Sequence, residues 1–176
     1  YDNDGYLDLF VTVLGRNNLL YRNNGNGTFT RVTTSIVATS GGASTATSWA
    51  DYDNDGYLDL LVSNNPGPEY LFRNNGNGTF TKVTTGILVT DPGDFGGHTW
   101  GDYDNDGDLD LFVSVRGSLN VLYRNDGEGN FTKITTGPLV NEGGLSFGCA
   151  WGDYDNDGDV DPVCEDRAIR GAIKAR

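Results

Sequence analysis

The sequence predicts an all-β chain, a tandem array of four-stranded antiparallel units, on three observations. The first is a gap-free period of 51 residues: YDNDG recurs at 1, 52, 103 and 154, and a Trp recurs at 49, 100 and 151. The second is that every period divides into short β-type runs punctuated by Asn-Gly and Asp-Gly turns. The third is composition, with 26 Gly and only 5 Pro in 176 residues and no helix-period pattern of useful length. Three full copies, 1–51, 52–102 and 103–153, precede a partial copy at 154–161, and residues 162–176 form an atypical tail. Each copy is one structural unit that must pack on its neighbours to bury its faces.

The second copy gives the elements in order. A first strand spans about Thr45 to Ala50 and leads into an Asp-rich loop. The second, Leu58 to Ser63, is LDLLVS, a nearly continuous apolar run that suits a strand covered on both sides. The third (Glu69 to Arg73) and the fourth (Thr79 to Thr85) flank Asn74-Asn75-Gly76-Asn77-Gly78, whose Asn-Gly pairs supply the positive φ of a hairpin turn. Four strands per period of about 50 residues are what a β-propeller blade requires, because radially stacked sheets bury both faces against neighbouring blades. Trp49, Trp100 and Trp151 read as inter-blade packing, and Arg22, Arg73 and Arg124 as hydrogen-bond donors at strand ends. His98 aligns with Thr47 and Cys149, so no second histidine accompanies it in a metal site. The sequons at Asn26, Asn77 and Asn130 lie in the hairpin turns, whose chemistry already accounts for them.

The formal charge is −13, with 25 acidic residues against 12 basic, which repels a nucleic-acid backbone and an anionic membrane surface. Seventeen of the acids fall in the recurring Asp phrases, a clustering that calls for a counter-ion. Cys149 and Cys164 are too few for a disulfide framework and lack C-x-x-C spacing; a bridge between them is conceivable because they flank the fourth loop almost symmetrically, but free thiols are the expected state. No apolar run approaches the roughly 18 residues of a membrane span. The chain begins at Tyr1 and contains no Met, so it reads as a piece of a longer frame.

The chemistry lies in DYDNDGYLD, where from Asp51 onward carboxylates occupy positions 1, 3, 5 and 9, glycine sits at 6, and position 7 offers a backbone carbonyl. This is how a short loop wraps a hard, oxygen-seeking cation. Asp51, Asp53, Asp55 and Asp59 are the side-chain candidates, with the Tyr57 carbonyl and Gly56 at the sharp turn. The third copy offers Asp102, Asp104, Asp106 and Asp110 with the Asp108 carbonyl; the fourth offers Asp153, Asp155, Asp157 and Asp161 with the Asp159 carbonyl. The first holds Asp2, Asp4, Asp8 and the Tyr6 carbonyl without an opening Asp, and reads as a weakened site. Ca2+ is the favoured ion, since Mg2+ retains waters and demands stricter octahedral geometry, while Zn2+ prefers His or Cys. An EF-hand begins alike but needs Glu at position 12, where Val62, Val113 or Cys164 stands, and flanking helices where this chain has strands.

These units resemble FG-GAP/VCBS repeats, the blades of the integrin α-subunit propeller and of many bacterial extracellular proteins. Trp100 to Val113, WGDYDNDGDLDLFV, carries the resemblance, and Phe95-Gly96-Gly97 echoes the family's Phe-Gly opening. The resemblance implies a calcium loop between the first two strands of each blade and a structural role for the metal. Family propellers commonly close with seven blades, so this chain reads as a fragment with open edges through which it could self-associate. After Asp161 the expected LFVS is replaced by PVCEDRAIRGAIKAR, with Pro162 at a strand position. Functionally the reading is a calcium-binding extracellular or cell-surface module, with a periplasmic setting also compatible, acting as scaffold or protein-interaction unit. A carbohydrate-binding propeller is the alternative and an enzyme fragment a distant third, because Asp residues repeated at one position in every copy do not make a single special active site.

Overall fold

In the computed structural model, which describes residues 1–141, 143–166 and 171–174, the 51-residue sequence period is a period of strands. The first unit holds β1 (Leu9–Val11), β2 (Leu14–Arg16), β3 (Leu19–Asn23), β4 (Phe29–Val32) and the one-turn helix α1 (Ile36–Thr39). The second holds β5 (Gly42–Ala50), β6 (Asp59–Asn64), β7 (Tyr70–Asn74), β8 (Phe80–Lys82) and α2 (Ile87–Thr90). The third holds β9 (Phe95–Gly101), β10 (Asp110–Leu119), β11 (Val121–Asn125), β12 (Phe131–Ile134) and α3 (Pro138–Asn141). A fourth begins with β13 (Gly143–Gly152), β14 (Asp161–Asp166) and β15 (Gly171–Lys174).

The second and third units are antiparallel meanders, β5-β6-β7-β8 and β9-β10-β11-β12, matching the all-β, four-stranded blade read from the sequence. Each first strand enters the metal-type loop and returns as the second, with Ala50 opposite Asp59 and Gly101 opposite Asp110. Consecutive units are also tied by backbone pairing far from these loops. The end of β10 leaves its own sheet to pair with β13 around Arg116 and Gly144, and β2 pairs with the start of β5. The open sheets fit the blades of a propeller fragment, with β5 packed on β9 and β9 on β13.

The apolar run of the second strand is explained by what covers it. All six residues of β6 are buried. Leu60, Val62 and Phe72 face Phe10, Leu20 and Val37 of the first unit, whereas Leu61 and Leu71 face Leu111, Val113 and Tyr123 of the third. In β1 the same alternation has only one covered face: Phe10 is buried, but Leu9 is 48% and Val11 37% exposed. The Trp residues pack between blades as the repeat implies. Trp49 meets Phe10 edge-on, Trp151 meets Phe112 at 5.9 Å between ring centres, and the Trp100 Nε1–H donates to Ser48 Oγ of the preceding blade.

One feature departs from the sequence reading. The short helices recur at the same phase in three units and bury Val37, Leu88 and Val140; four residues are too few to show a 3.6-residue period. Within the segment 162–176, Pro162 lies in a paired strand opposite Trp151, and β15 adds to β14.

The two-sided burial of β6 yields a direct comparison. Leu60→Ala removes a fully buried side chain and should cost about 2–5 kcal/mol. Leu9→Ala, the same position one repeat earlier, should cost less than about 1 kcal/mol. Urea denaturation measures both, and equal losses would contradict the packing described.

Candidate metal centres

Each loop is folded by its own aspartates. Position 1 closes the turn: Asp51 accepts the Asp55 and Gly56 N–H groups, and Asp102 those of Asp106 and Gly107. Two residues must adopt positive φ, the glycine (Gly56 at +88°) and the Asn two positions before it (Asn54 at +57°), a conformation that Asn tolerates better than other side chains. Position 5 stabilises the exit, where Asp55 Oδ1 accepts the Tyr57 N–H and Asp106 Oδ1 that of Asp108.

Position 9 is the most buried acid. Asp59 is 1% exposed, and its two oxygens accept the backbone N–H of Tyr52 at the loop entrance and of Asn74 at the hairpin, at 3.3 and 2.7 Å. Asp110 does the same for Tyr103 and Asn125. The hairpin Asn reciprocates: Asn74 Nδ2 donates to the Leu58 carbonyl and to the Tyr1 carbonyl of the previous loop, and Asn125 Nδ2 to those of Leu109 and Tyr52. Sequence reasoning treated these Asn residues as turn formers only; their recurrence at one position in every copy was the available signal.

The outcome is a convergent trio from positions 1, 3 and 9. Asp51, Asp53 and Asp59 each bring an oxygen within 4.8 Å of the others, as do Asp102, Asp104 and Asp110, and Asp153, Asp155 and Asp161. Positions 5 and 7 (Asp55, Asp106, Asp157; Tyr57, Asp108, Asp159) lie outside these trios. Asp2, Asp4 and Asp8 form no such trio among the described residues, and the Tyr1 nitrogen donates to Asp8 as those of Tyr52 and Tyr103 do to their own acids. The residues fit a hard cation on one further observation: Asp53 Oδ1 is buried with no hydrogen-bond donor, an oxygen that a cation would satisfy.

The arginines do more than hold strand ends. Arg22 pairs with Asp2 and Asp4, and Arg73 with Asp53 at 2.6 Å and Asp55 at 2.8 Å. Arg124 turns instead to Asp126 of its own hairpin. That acid replaces the Asn found at 24 and 75. Burial, then the like charges of Asp106 and Asp102, raise Asp104 above the usual carboxylate range.

Position 7 differs between copies in what its side chain does. Tyr6 and Tyr57 lie over Gly25 and Gly76, leaving no space for a Cβ there. Asp108 and Asp159 accept from Asn54 and Asn105, each on the preceding loop. His98 belongs to a separate buried group, with its Nδ1 2.7 Å from Ser63 Oγ, which donates to Glu69 Oε1 at 2.9 Å.

A model of the FG-GAP-like repeat matches three times, over residues 1–62, 51–113 and 110–164. The chain belongs to the FG-GAP-like repeat family. Relatives of these FG-GAP-like repeats include cartilage acidic protein 1 of Xenopus tropicalis, 28% identical over 92% of this chain and 27% of that protein. Cartilage acidic protein 1 of Mus musculus is 26% identical over 89% of the chain and 26% of its own length. The chain thus spans about a quarter of these relatives. Among the described residues no helix is long and apolar enough to cross a membrane.

Burial sets the pH dependence of these FG-GAP-like blades in the absence of divalent ions. It raises Asp59 from 3.8 to about 7, Asp110 from 3.8 to about 6 and Glu69 from 4.5 to about 7. Each carboxyl holds its proton more tightly folded than unfolded, so stability falls as pH rises from the unfolded value towards the folded one. His98, lowered by burial from 6.5 to about 4, acts in the opposite sense over its own window. Three carboxyls against one imidazole leave a net loss. Thermal melts in chelator should show a lower Tm at pH 7.5 than at pH 5. Glu69→Gln should raise the Tm clearly at pH 7.5 and much less at pH 5, which lies only just above the unfolded value; a wild-type Tm that climbs across this range would contradict the assignment.

Proposed function

We propose that the chain is a non-catalytic, calcium-stabilised extracellular module whose metal loops rigidify one rim of the blades for contact with a protein partner. The observation that carries this is the threefold recurrence of the convergent trio, with a donorless buried oxygen on Asp53. Positions 1, 3 and 9 supply the first carboxylate oxygens. The position-5 acid and the position-7 carbonyl lie within the same loop to complete an oxygen shell of the kind calcium takes. Calcium supplies positive charge to a cluster otherwise self-repelling, while the residues already fix the turn through their own hydrogen bonds. Both relatives are named for cartilage, and the solvated loops suit a calcium-rich extracellular setting.

Isothermal titration should find close to three strong sites, at the loops beginning with Asp51, Asp102 and Asp153. At calcium 100 times its dissociation constant each site adds about 2.7 kcal/mol to stability, so chelation should lower the Tm steeply. Superimposable melts in chelator and in excess calcium would overturn the reading. Asp104→Asn, which keeps an oxygen to accept the Asp106 N–H but removes the charge, should remove one site from the titration. Binding of selected sugars on a glycan array in calcium buffer would instead favour a lectin.

The arginine pairs rank the sites. Arg73 occupies two acids of the second loop, whereas Asp126 draws Arg124 away from the third. The third loop should therefore bind more tightly than the second. Asn75→Asp, which copies the third hairpin into the second, should strengthen the second site several-fold. Unchanged affinity would show that Arg73 does not compete with the ion.

A further inference from the structure

We propose that Cys149 and Cys164 form a cross-strand disulfide that staples the fourth blade beneath its acidic loop. The two are direct partners in the antiparallel pairing of β13 with β14. Opposed residues in such a pair have Cα atoms about 4.5–5.5 Å apart, inside the roughly 4.4–6.8 Å that a disulfide spans. Both sulfurs lie on one face, against the cluster of Phe112, Leu122 and Val140. They are free thiols here, Cys164 buried and Cys149 partly exposed. The other contacts of the Cys149 thiol are weak, 3.7 Å to the Gly97 carbonyl and 3.8 Å to that of Phe112.

The same pair exists in the other blades without sulfur, as Thr47 opposite Val62 and His98 opposite Val113. It becomes Cys-Cys only where the second strand departs from the apolar run, with Pro162 replacing Leu60 and Leu111 of the earlier copies. Proline weakens a strand by removing a backbone donor. A covalent tie at the next position on the same face compensates for that, and it closes a loop holding the whole of Asp153 to Asp161.

The chemistry is thiol–disulfide exchange with a small-molecule disulfide of the type that oxidising compartments supply. Cys149 is the attacking group, because it is the more accessible and because its contact with Cys164 lowers its pKa while raising that of its neighbour. Its thiolate displaces one small thiolate and leaves a mixed disulfide. The Cys164 sulfur, losing its proton, then displaces the second. Two protein thiols become one disulfide, two electrons reduce the small disulfide, and two small thiols leave.

The test is incubation with oxidised glutathione, followed by intact mass and mapping of the tryptic peptide 134–167, which carries both cysteines. The expected product is monomeric and about 2 Da lighter, with no thiol left to alkylate. Cys164→Ser should stop at a stable glutathione adduct on Cys149. The oxidised wild type should melt about 5 °C or more above the reduced form. A lasting adduct on wild-type Cys149, a disulfide-linked dimer, or a disulfide that leaves the Tm unchanged or lowered would overturn the proposal.

Discussion

The structure depends on a buried carboxylate that holds two pieces of backbone together. Asp59 and Asp110 each accept one N–H from the loop that begins the blade's second strand and one from the hairpin that joins its third and fourth. An unpaired acid at 1% exposure would be costly, and these are tolerated because both oxygens are engaged. Rim loop and hairpin are thereby locked to one another before any ion is considered. The position-9 oxygen then stands where carboxylates from positions 1 and 3 can reach it, so the clasp of the fold is also the floor of the metal-type site.

Much of this was legible because the repeat is internal evidence. A single copy of LDLLVS cannot distinguish a buried strand from a buried helix segment, but its recurrence between an Asp loop and an Asn-Gly hairpin settles it as the second strand of a blade. The Asp positions were equally plain, and the trio that converges lies within the set read from spacing. The sorting of that set was not. Nothing in the spacing tells that position 9 spends its oxygens on backbone N–H groups, or that position 5 supports the turn exit. The first depends on a hairpin returning from 15 residues away, the second on a local turn two residues long.

Contacts between copies were hidden for a related reason. Asn54 to Asp108 and Asn105 to Asp159 join residues 54 apart, and a period of 51 aligns each with its own counterpart instead of with its neighbour's partner. The diversion of Arg124 was written in the sequence as Asp126 in place of Asn75, yet its meaning needed the geometry that brings Arg73 to Asp53 and Asp55. The departures from strict repetition, at 57 versus 108 and at 75 versus 126, therefore distinguish loops whose acidic trio is the same.

The way consecutive blades are joined has a mechanical consequence. The third and fourth are connected at two opposite ends: by backbone pairing of β10 with β13 around Arg116, and by the Asn105 to Asp159 side-chain contact at the loop rim. A joint pinned at one end would let neighbouring blades splay like the leaves of a fan. Two pins separated by the length of a strand convert splaying into a shear of the intervening apolar layer, where Phe112 and Trp151 interlock. Deformation there requires displacing packed side chains, so the blades transmit torque as a stack of keyed plates does.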